Sequence, residues 1–153
     1  MNFMIKRGQL SYLRDILDMP VLVGTESRIR TRFKKKILEL IAESEEERQL
    51  LIDEYALKDE DGHYKFVEGT KIIDMGGEQN TMIVWNNVET LHQEICTIPC
   101  NIDNKKMFEV ISAIMLEGKD LRLNGAHADL YDELCEQFEN ILEYYKKDTK
   151  EGD

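Results

Sequence analysis

The sequence has few of the residues that cross-link or interrupt a small fold. It contains three cysteines and two prolines among 153 residues. A small, odd number of cysteines is typical of reduced thiols, so no disulfide framework is expected. No apolar run approaches the ~20 residues that a membrane-spanning helix needs. These absences predict a protein of the cytoplasm with no membrane partner.

Motifs of known catalytic chemistry are also missing. The sequence has no P-loop, no dinucleotide fingerprint, no nucleophile elbow and no H-E-x-x-H pair. Carboxylates are so numerous that no particular acid/base pair stands out. We therefore predict that the protein is not an enzyme and needs no cofactor.

Positive charge is scarce. Thirty-one Asp and Glu stand against twenty Lys and Arg, for a formal net charge of −11. Such a surface repels nucleic-acid phosphate and anionic lipid. Direct binding to nucleic acid is therefore disfavoured.

Apolar residues recur at helical spacing in three parts of the chain. A short helix is predicted over residues 9–18, ended by Pro20 because the residue before a proline avoids the α region. A long helix is predicted over residues 26–57, with Thr25 as its N-cap. A final helix is predicted over residues 126–147.

The middle of the chain reads differently. Short β-rich runs at residues 63–67, 70–75 and 81–85 alternate with glycine-containing turns, which predicts a small antiparallel meander. A short helix capped by Asn86 or Asn87 is predicted to run to about Ile95, and another capped by Asp103 to about Leu116. The fold class is therefore α+β and mainly α-helical, with one long central helix, a C-terminal helix and the meander between them.

We expect a single domain over residues 1–147 and a disordered tail over residues 148–153, whose composition cannot support a core. The apolar stripe of the long helix is interrupted between Ser44 and Arg48, where a bend or an exposed segment is expected.

Residues 28–36 are the strongest local anomaly, since they contain six basic side chains and no acid. The six are Arg28, Arg30, Arg32, Lys34, Lys35 and Lys36. At about 100° per residue, Arg28, Arg32, Lys35 and Lys36 lie on one side of the apolar stripe, and Arg30 and Lys34 lie on its other flank. Arginine grips phosphate through two parallel hydrogen bonds, so the six are candidate anion-binding residues. The alternative is a solvated face that pairs with acids elsewhere.

Residues 57–68 match a calcium loop of the EF-hand type in part. Acids and a glycine stand at its third, fifth, sixth and twelfth positions: Asp59, Asp61, Gly62 and Glu68. Its first position, normally Asp, is Leu57, and a strand is predicted to follow the loop. A polar turn is therefore the preferred interpretation.

His92, Cys96 and Cys100 are spaced by four, but a zinc site usually has two close ligand pairs. We expect these thiols, together with Cys135, to be core residues, and no metal site is predicted. Trp85 is predicted to end a strand as a core anchor, an exposed binding residue being the alternative.

Several segments together carry a family resemblance. They are Ser27–Phe33, Glu45–Arg48, Glu54–Ala56, Lys58–Gly62 and, near the end, Leu123–Ala126 with Tyr131–Leu134. In these segments the chain resembles a family of small proteins encoded by phages and prophages of Gram-positive bacteria. The similarity covers most of the chain, but residues 70–100 do not contribute. The family has no established activity, so the resemblance assigns no role to any residue.

The resemblance implies a phage protein that acts in the host cytoplasm. We expect a non-enzymatic binding protein that counters a host defence, by stoichiometric sequestration of an anionic nucleotide or by blocking a host protein. One alternative is a virion assembly factor or minor structural protein with a phage partner. Another is an acidic mimic of DNA. The polar interruption of the long helix also leaves a homo-oligomer open.

Overall fold

A computed structural model describes residues 1–150 of the chain. Within them, five α-helices and one two-stranded sheet form. The helices are α1 (Leu10–Asp18), α2 (Gly24–Asp53), α3 (Glu78–Gln93), α4 (Lys105–Glu117) and α5 (Gly125–Asp148). The strands are β1 (Asn2–Lys6) and β2 (Ile95–Pro99), which pair antiparallel. The predicted fold class, mainly helical α+β with a long helix and a C-terminal helix, is confirmed.

The sheet does not lie where the meander was predicted. Residues 63–67 and 70–75 contribute only to two isolated antiparallel bridges, Lys58 with Tyr64 and Phe66 with Ile73. Residues 81–85, predicted to be the third strand, lie inside α3. The short helix predicted from residue 87 is the second half of that same helix. Residues 81–85 have a local preference for a strand, but burial of one face of a helix outweighs it. The buried side chains are spaced by four and three residues: Val84, Val88 and Leu91.

The observed sheet joins two segments that are far apart in the sequence. In its register Phe3 lies opposite Ile98 and Ile5 lies opposite Cys96. These four side chains are buried and their neighbours along each strand are exposed. Both strands therefore place one face on the core, as the two-residue period of a strand requires.

Helix α2 begins at Gly24, one residue before the predicted cap Thr25, and ends at Asp53 instead of Leu57. It is one helix through the interrupted part of its stripe.

The chain divides into two compact units. The terminal unit comprises Met1–Ile41 and Ile95–Asp153, and the middle unit comprises Ala42–Glu94. The division falls within α2, just before the polar interruption that begins at Ser44. The single domain expected over residues 1–147 stays a prediction.

Of the predicted tail, Asp148 is the last residue of α5 and residues 149–150 form a turn. Residues 151–153 lie outside the described residues. No helix over residues 1–150 is long and apolar enough to cross a membrane.

Four phenylalanine rings form the centre of the terminal unit, and all four are fully buried. The ring of Phe3 lies 5.7 Å from that of Phe33, 6.0 Å from Phe108 and 5.6 Å from Phe138. Phe33 and Phe108 are in turn 5.9 Å apart, edge to face. The rings come from β1, α2, α4 and α5, so one cluster joins four elements.

The middle unit has a smaller core of Ile52, Met75, Val84 and Val88. The Tyr64 hydroxyl donates a hydrogen bond of 2.5 Å to the Asp53 carboxylate at the end of α2. This bond lowers the pKa of Asp53 and raises that of Tyr64. It fixes the irregular segment after α2 to the helix.

The substitution Phe3→Ala should lower the free energy of unfolding by about 3–5 kcal/mol, because it leaves a cavity among three other rings. Urea denaturation followed by circular dichroism measures this. Met4→Ala, next along the same strand with a half-exposed side chain, is the matched control and should change stability by less than about 0.5 kcal/mol. Equal losses in the two variants would contradict the packing described.

Candidate functional site

The six predicted anion-binding residues separate into groups with different surroundings. Arg30 donates hydrogen bonds to two backbone carbonyl oxygens near the end of α1, that of Pro20 at 2.5 Å and that of Leu17 at 3.4 Å. The ammonium group of Lys34 lies 2.6 Å from the Asp18 carboxylate. Helix C-terminal ends carry partial negative charge and attract such groups. These two cations therefore hold α1 against α2.

Arg32, Lys35 and Lys36 lie together along a cavity of about 350 Å³ in the terminal unit. A fourth cation, Lys106, comes from the first turn of α4. The complete lining is Ile29, Arg32, Lys35, Lys36, Glu39, Asp103, Asn104, Lys106 and Met107. The volume is at the lower end of the range of small-molecule sites. Arg28, one helical turn before Arg32, is exposed as Arg32, Lys35 and Lys106 are, but it does not line the cavity.

The lining carries an excess of positive charge. Its four cations face two carboxylates, Glu39 and Asp103. Among residues 1–150, no hydrogen bond or ion pair joins these cations to another described side chain or backbone group. Their hydrogen-bond donors are therefore available to an incoming anion, in contrast to those of Arg30 and Lys34.

The turn before α4 holds one wall of the cavity in place. The side-chain oxygen of Asn101 accepts a hydrogen bond of 3.0 Å from the backbone N–H of Asn104, whose own amide group donates to the Pro99 carbonyl at 2.9 Å. From α5, the Tyr145 hydroxyl donates to the Asn101 carbonyl at 3.1 Å. Burial raises the pKa of Tyr145 to about 12. This wall of the cavity is therefore held by hydrogen bonds to β2 and to α5.

The start of α4 adds to the positive potential. Since the Asn104 side chain bonds to Pro99, it gives α4 no side-chain cap, and the first turn contains no acid. The positive end of the helix dipole and the Lys106 ammonium therefore act in the same direction.

Sequence reasoning missed Lys106, which lies 70 positions after Lys36. One signal was available: Lys105 and Lys106 occupy the first turn of a predicted helix, where lysine opposes the dipole. Their surroundings differ, since Lys105 reaches the Thr149 hydroxyl at 3.2 Å.

The loop that resembles an EF-hand in part brings together ligand atoms of Asp59, Asp61 and His63, all within 4.8 Å of one another. All three residues are exposed. One Asp59 oxygen accepts hydrogen bonds from the backbone N–H groups of Asp61 and His63, at 2.9 and 3.0 Å. These bonds are those of a polar turn, in agreement with the preferred interpretation, and the absence of a metal site stays a prediction.

Two of the three thiols are core residues, as predicted. Cys96 and Cys100 are buried in the terminal unit, whereas Cys135 is half-buried, and none of the three forms a disulfide within residues 1–150. Burial raises the pKa of the Cys100 thiol. Outside this group, the imidazole of His127 lies 3.2 Å from the Asp15 carboxylate.

The prediction that Trp85 is a core anchor in a strand is wrong. Trp85 lies in α3 with 40% of its surface exposed. The Arg48 guanidinium stacks over its ring, 5.9 Å from the centroid. Its helical position turns it away from the buried side chains.

Comparison with known proteins found no match to any family model, curated protein sequence or solved structure. The family resemblance and the roles of the cavity residues therefore stay predictions that rest on the residues themselves.

Replacement of Arg30 by alanine should lower the free energy of unfolding by about 1–3 kcal/mol, because a charged donor to two helix-end carbonyls is lost. Arg32→Ala, on the same helix and equal in charge change, should alter stability by less than about 0.5 kcal/mol. Urea denaturation of both variants tests the division between structural and available cations. A larger loss in Arg32→Ala would refute it.

Alkaline pH should destabilise the protein through Tyr145. Its folded pKa of about 12 exceeds the ordinary value of 10.0, so above that ordinary value the unfolded chain releases a proton that the folded chain keeps. The stability that protonated Tyr145 gives the folded chain is fully present below pH ~10 and is lost as pH rises toward ~12. The free energy of unfolding falls by no more than about 1.4 kcal/mol per pH unit. In Tyr145→Phe the loss of unfolding free energy between pH ~9 and ~11 should be smaller than in the unaltered chain. An equal loss would contradict this.

Proposed function

We propose that the protein is a non-enzymatic binding protein that sequesters an anionic nucleotide in the cavity between α2 and α4. The observation that carries the proposal is the convergence of Arg32, Lys35, Lys36 and Lys106 on one concave surface, where their side chains bond to no other residue of the described chain, 1–150. Cations that have no partner among the described residues, in a chain of charge −11, favour a ligand with phosphate groups.

The rest of the lining favours a nucleotide over a bare phosphate. Glu39 and Asp103 offer oxygens that accept hydrogen bonds from sugar hydroxyl or base amino groups. Ile29 and Met107 supply an apolar floor on which part of a base can rest. Cations, acceptors and an apolar surface within one cavity match the three parts of a nucleotide.

Binding without turnover is the simplest use of such a site. The described lining holds no hydroxyl, thiol or imidazole side chain, so its possible nucleophiles are lysines and carboxylates alone. Together with the resemblance to phage proteins, this favours a stoichiometric sink for a nucleotide signal of a host defence system.

Isothermal titration calorimetry with a panel of linear and cyclic nucleotides tests the proposal. At least one should bind at a ratio of one to each chain, and its affinity should fall as salt rises. Lys106→Gln should weaken binding at least about tenfold, since a charged hydrogen bond is lost.

Arg28→Gln is the matched control, with the same loss of charge on an exposed position outside the cavity, and should change the affinity less than about twofold. No heat with any nucleotide would end the proposal. Equal weakening by Arg28→Gln and Lys106→Gln would mean that binding depends on diffuse charge and not on the cavity.

A further inference from the structure

The middle unit has a groove of its own, formed by helix surfaces of α2 and α3. From α2 it is lined by Glu47, Leu50 and Leu51, and from α3 by Asn87, Thr90 and Leu91; Glu94, directly after α3, completes a lining with a volume of about 510 Å³. Both sets follow helical spacing, at three and four residues. Leu50 leaves 67% of its surface exposed. Two adjacent helix faces with apolar residues in the groove are the surface on which a third helix packs.

Nearly all of the net charge of the chain belongs to this unit. Residues 42–94 contain fourteen Asp and Glu against four Lys and Arg, a net charge of −10 out of −11. The potential around the groove is therefore strongly negative, and it attracts basic partners and repels acidic ones.

The middle unit also has more large apolar side chains exposed on its surface than buried in its core cluster. Eight large apolar side chains are exposed: Leu50, Leu57, Phe66, Val67, Ile72, Met82, Ile83 and Trp85. Only four residues form its buried cluster. A unit of this size gains stability when a partner covers part of such a surface.

The geometry points to a docking site for a basic amphipathic helix of a partner protein, with apolar side chains in the groove and Lys or Arg on its flanks. The apolar side chains of the groove would contact the apolar face of the partner helix. The net charge of −10 on the middle unit favours a partner helix with positive charge. This surface lies wholly in the middle unit and is independent of the proposed nucleotide cavity.

Fluorescence anisotropy with the full chain tests the site. The probe is a labelled peptide of about 18 residues, long enough to form a helix, built from Leu at helical spacing and Lys elsewhere. A scrambled peptide of the same composition and a Leu/Glu peptide of the same pattern are the controls. The Leu/Lys helix should bind at least about tenfold tighter than either.

Two variants separate the groove from bulk charge. Leu50→Asp removes the exposed apolar contact but adds negative charge, so it should weaken the Leu/Lys peptide at least about tenfold if the groove binds it. Met82→Asp, an exposed residue of α3 outside the groove, makes the same change of charge and should not weaken it. Thr90→Trp, which fills the groove from α3 at constant charge, should weaken it as Leu50→Asp does.

Equal affinity for the patterned and scrambled peptides, or equal effects of Leu50→Asp and Met82→Asp, would overturn the site. If light scattering shows that the protein is a dimer and that Leu50→Asp dissociates it, the groove binds a second copy of this chain and not a different partner protein. Lys106→Gln should bind the peptide normally, so a failure here is distinguishable from a failure of nucleotide binding.

Discussion

The contact of Phe33 with Phe108 is the packing interaction on which the cavity depends. Each ring directly follows a lining residue in the sequence, since Arg32 stands before Phe33 and Met107 before Phe108. The rings lie 5.9 Å apart with Phe3 against both, so the separation of α2 and α4 is set by buried side chains. Because close-packed interiors resist small changes of volume, the positions of the cations follow from the core beneath them.

The helices with a strong apolar period could be predicted from the sequence, and the pairing of distant segments could not. The stripe of Leu130, Leu134 and Phe138 identifies α5 because local spacing and burial agree. Residues 81–85 combine Thr, Ile, Val and Trp, whose local preference is for a strand, but the burial of Val84 and Val88 makes them helical. The pairing of β1 with β2 joins residues 89 to 97 positions apart and leaves no local signal.

The same limit applies to the site. The anomaly at residues 28–36 identified the helix, and helical geometry correctly placed Arg30 and Lys34 on a different flank from Arg32. It could not show that Arg30 donates hydrogen bonds to carbonyl oxygens near the end of α1, since a backbone acceptor has no signature in the sequence. Nor could it show that Lys106 lines the same cavity as Arg32, because only tertiary packing brings α4 next to that part of α2.

Apart from Glu26 in its first turn, the order of charges along α2 is opposed to the helix dipole. Basic residues crowd its first half, acids crowd its second half and its last turn contains no basic residue. An isolated helix with this order is disfavoured, since cations belong at the C-terminal end and anions at the N-terminal end. The helix must therefore be held by burial of Ile29, Phe33 and Ile37 in one unit and Ile52 in the other. Because the charges do little to stabilise the helix that carries them, other contacts must account for their placement. Arg30 and Lys34 bind the end of α1, and the two proposals would give the remaining cations an anion and the acids of the second half a cationic partner.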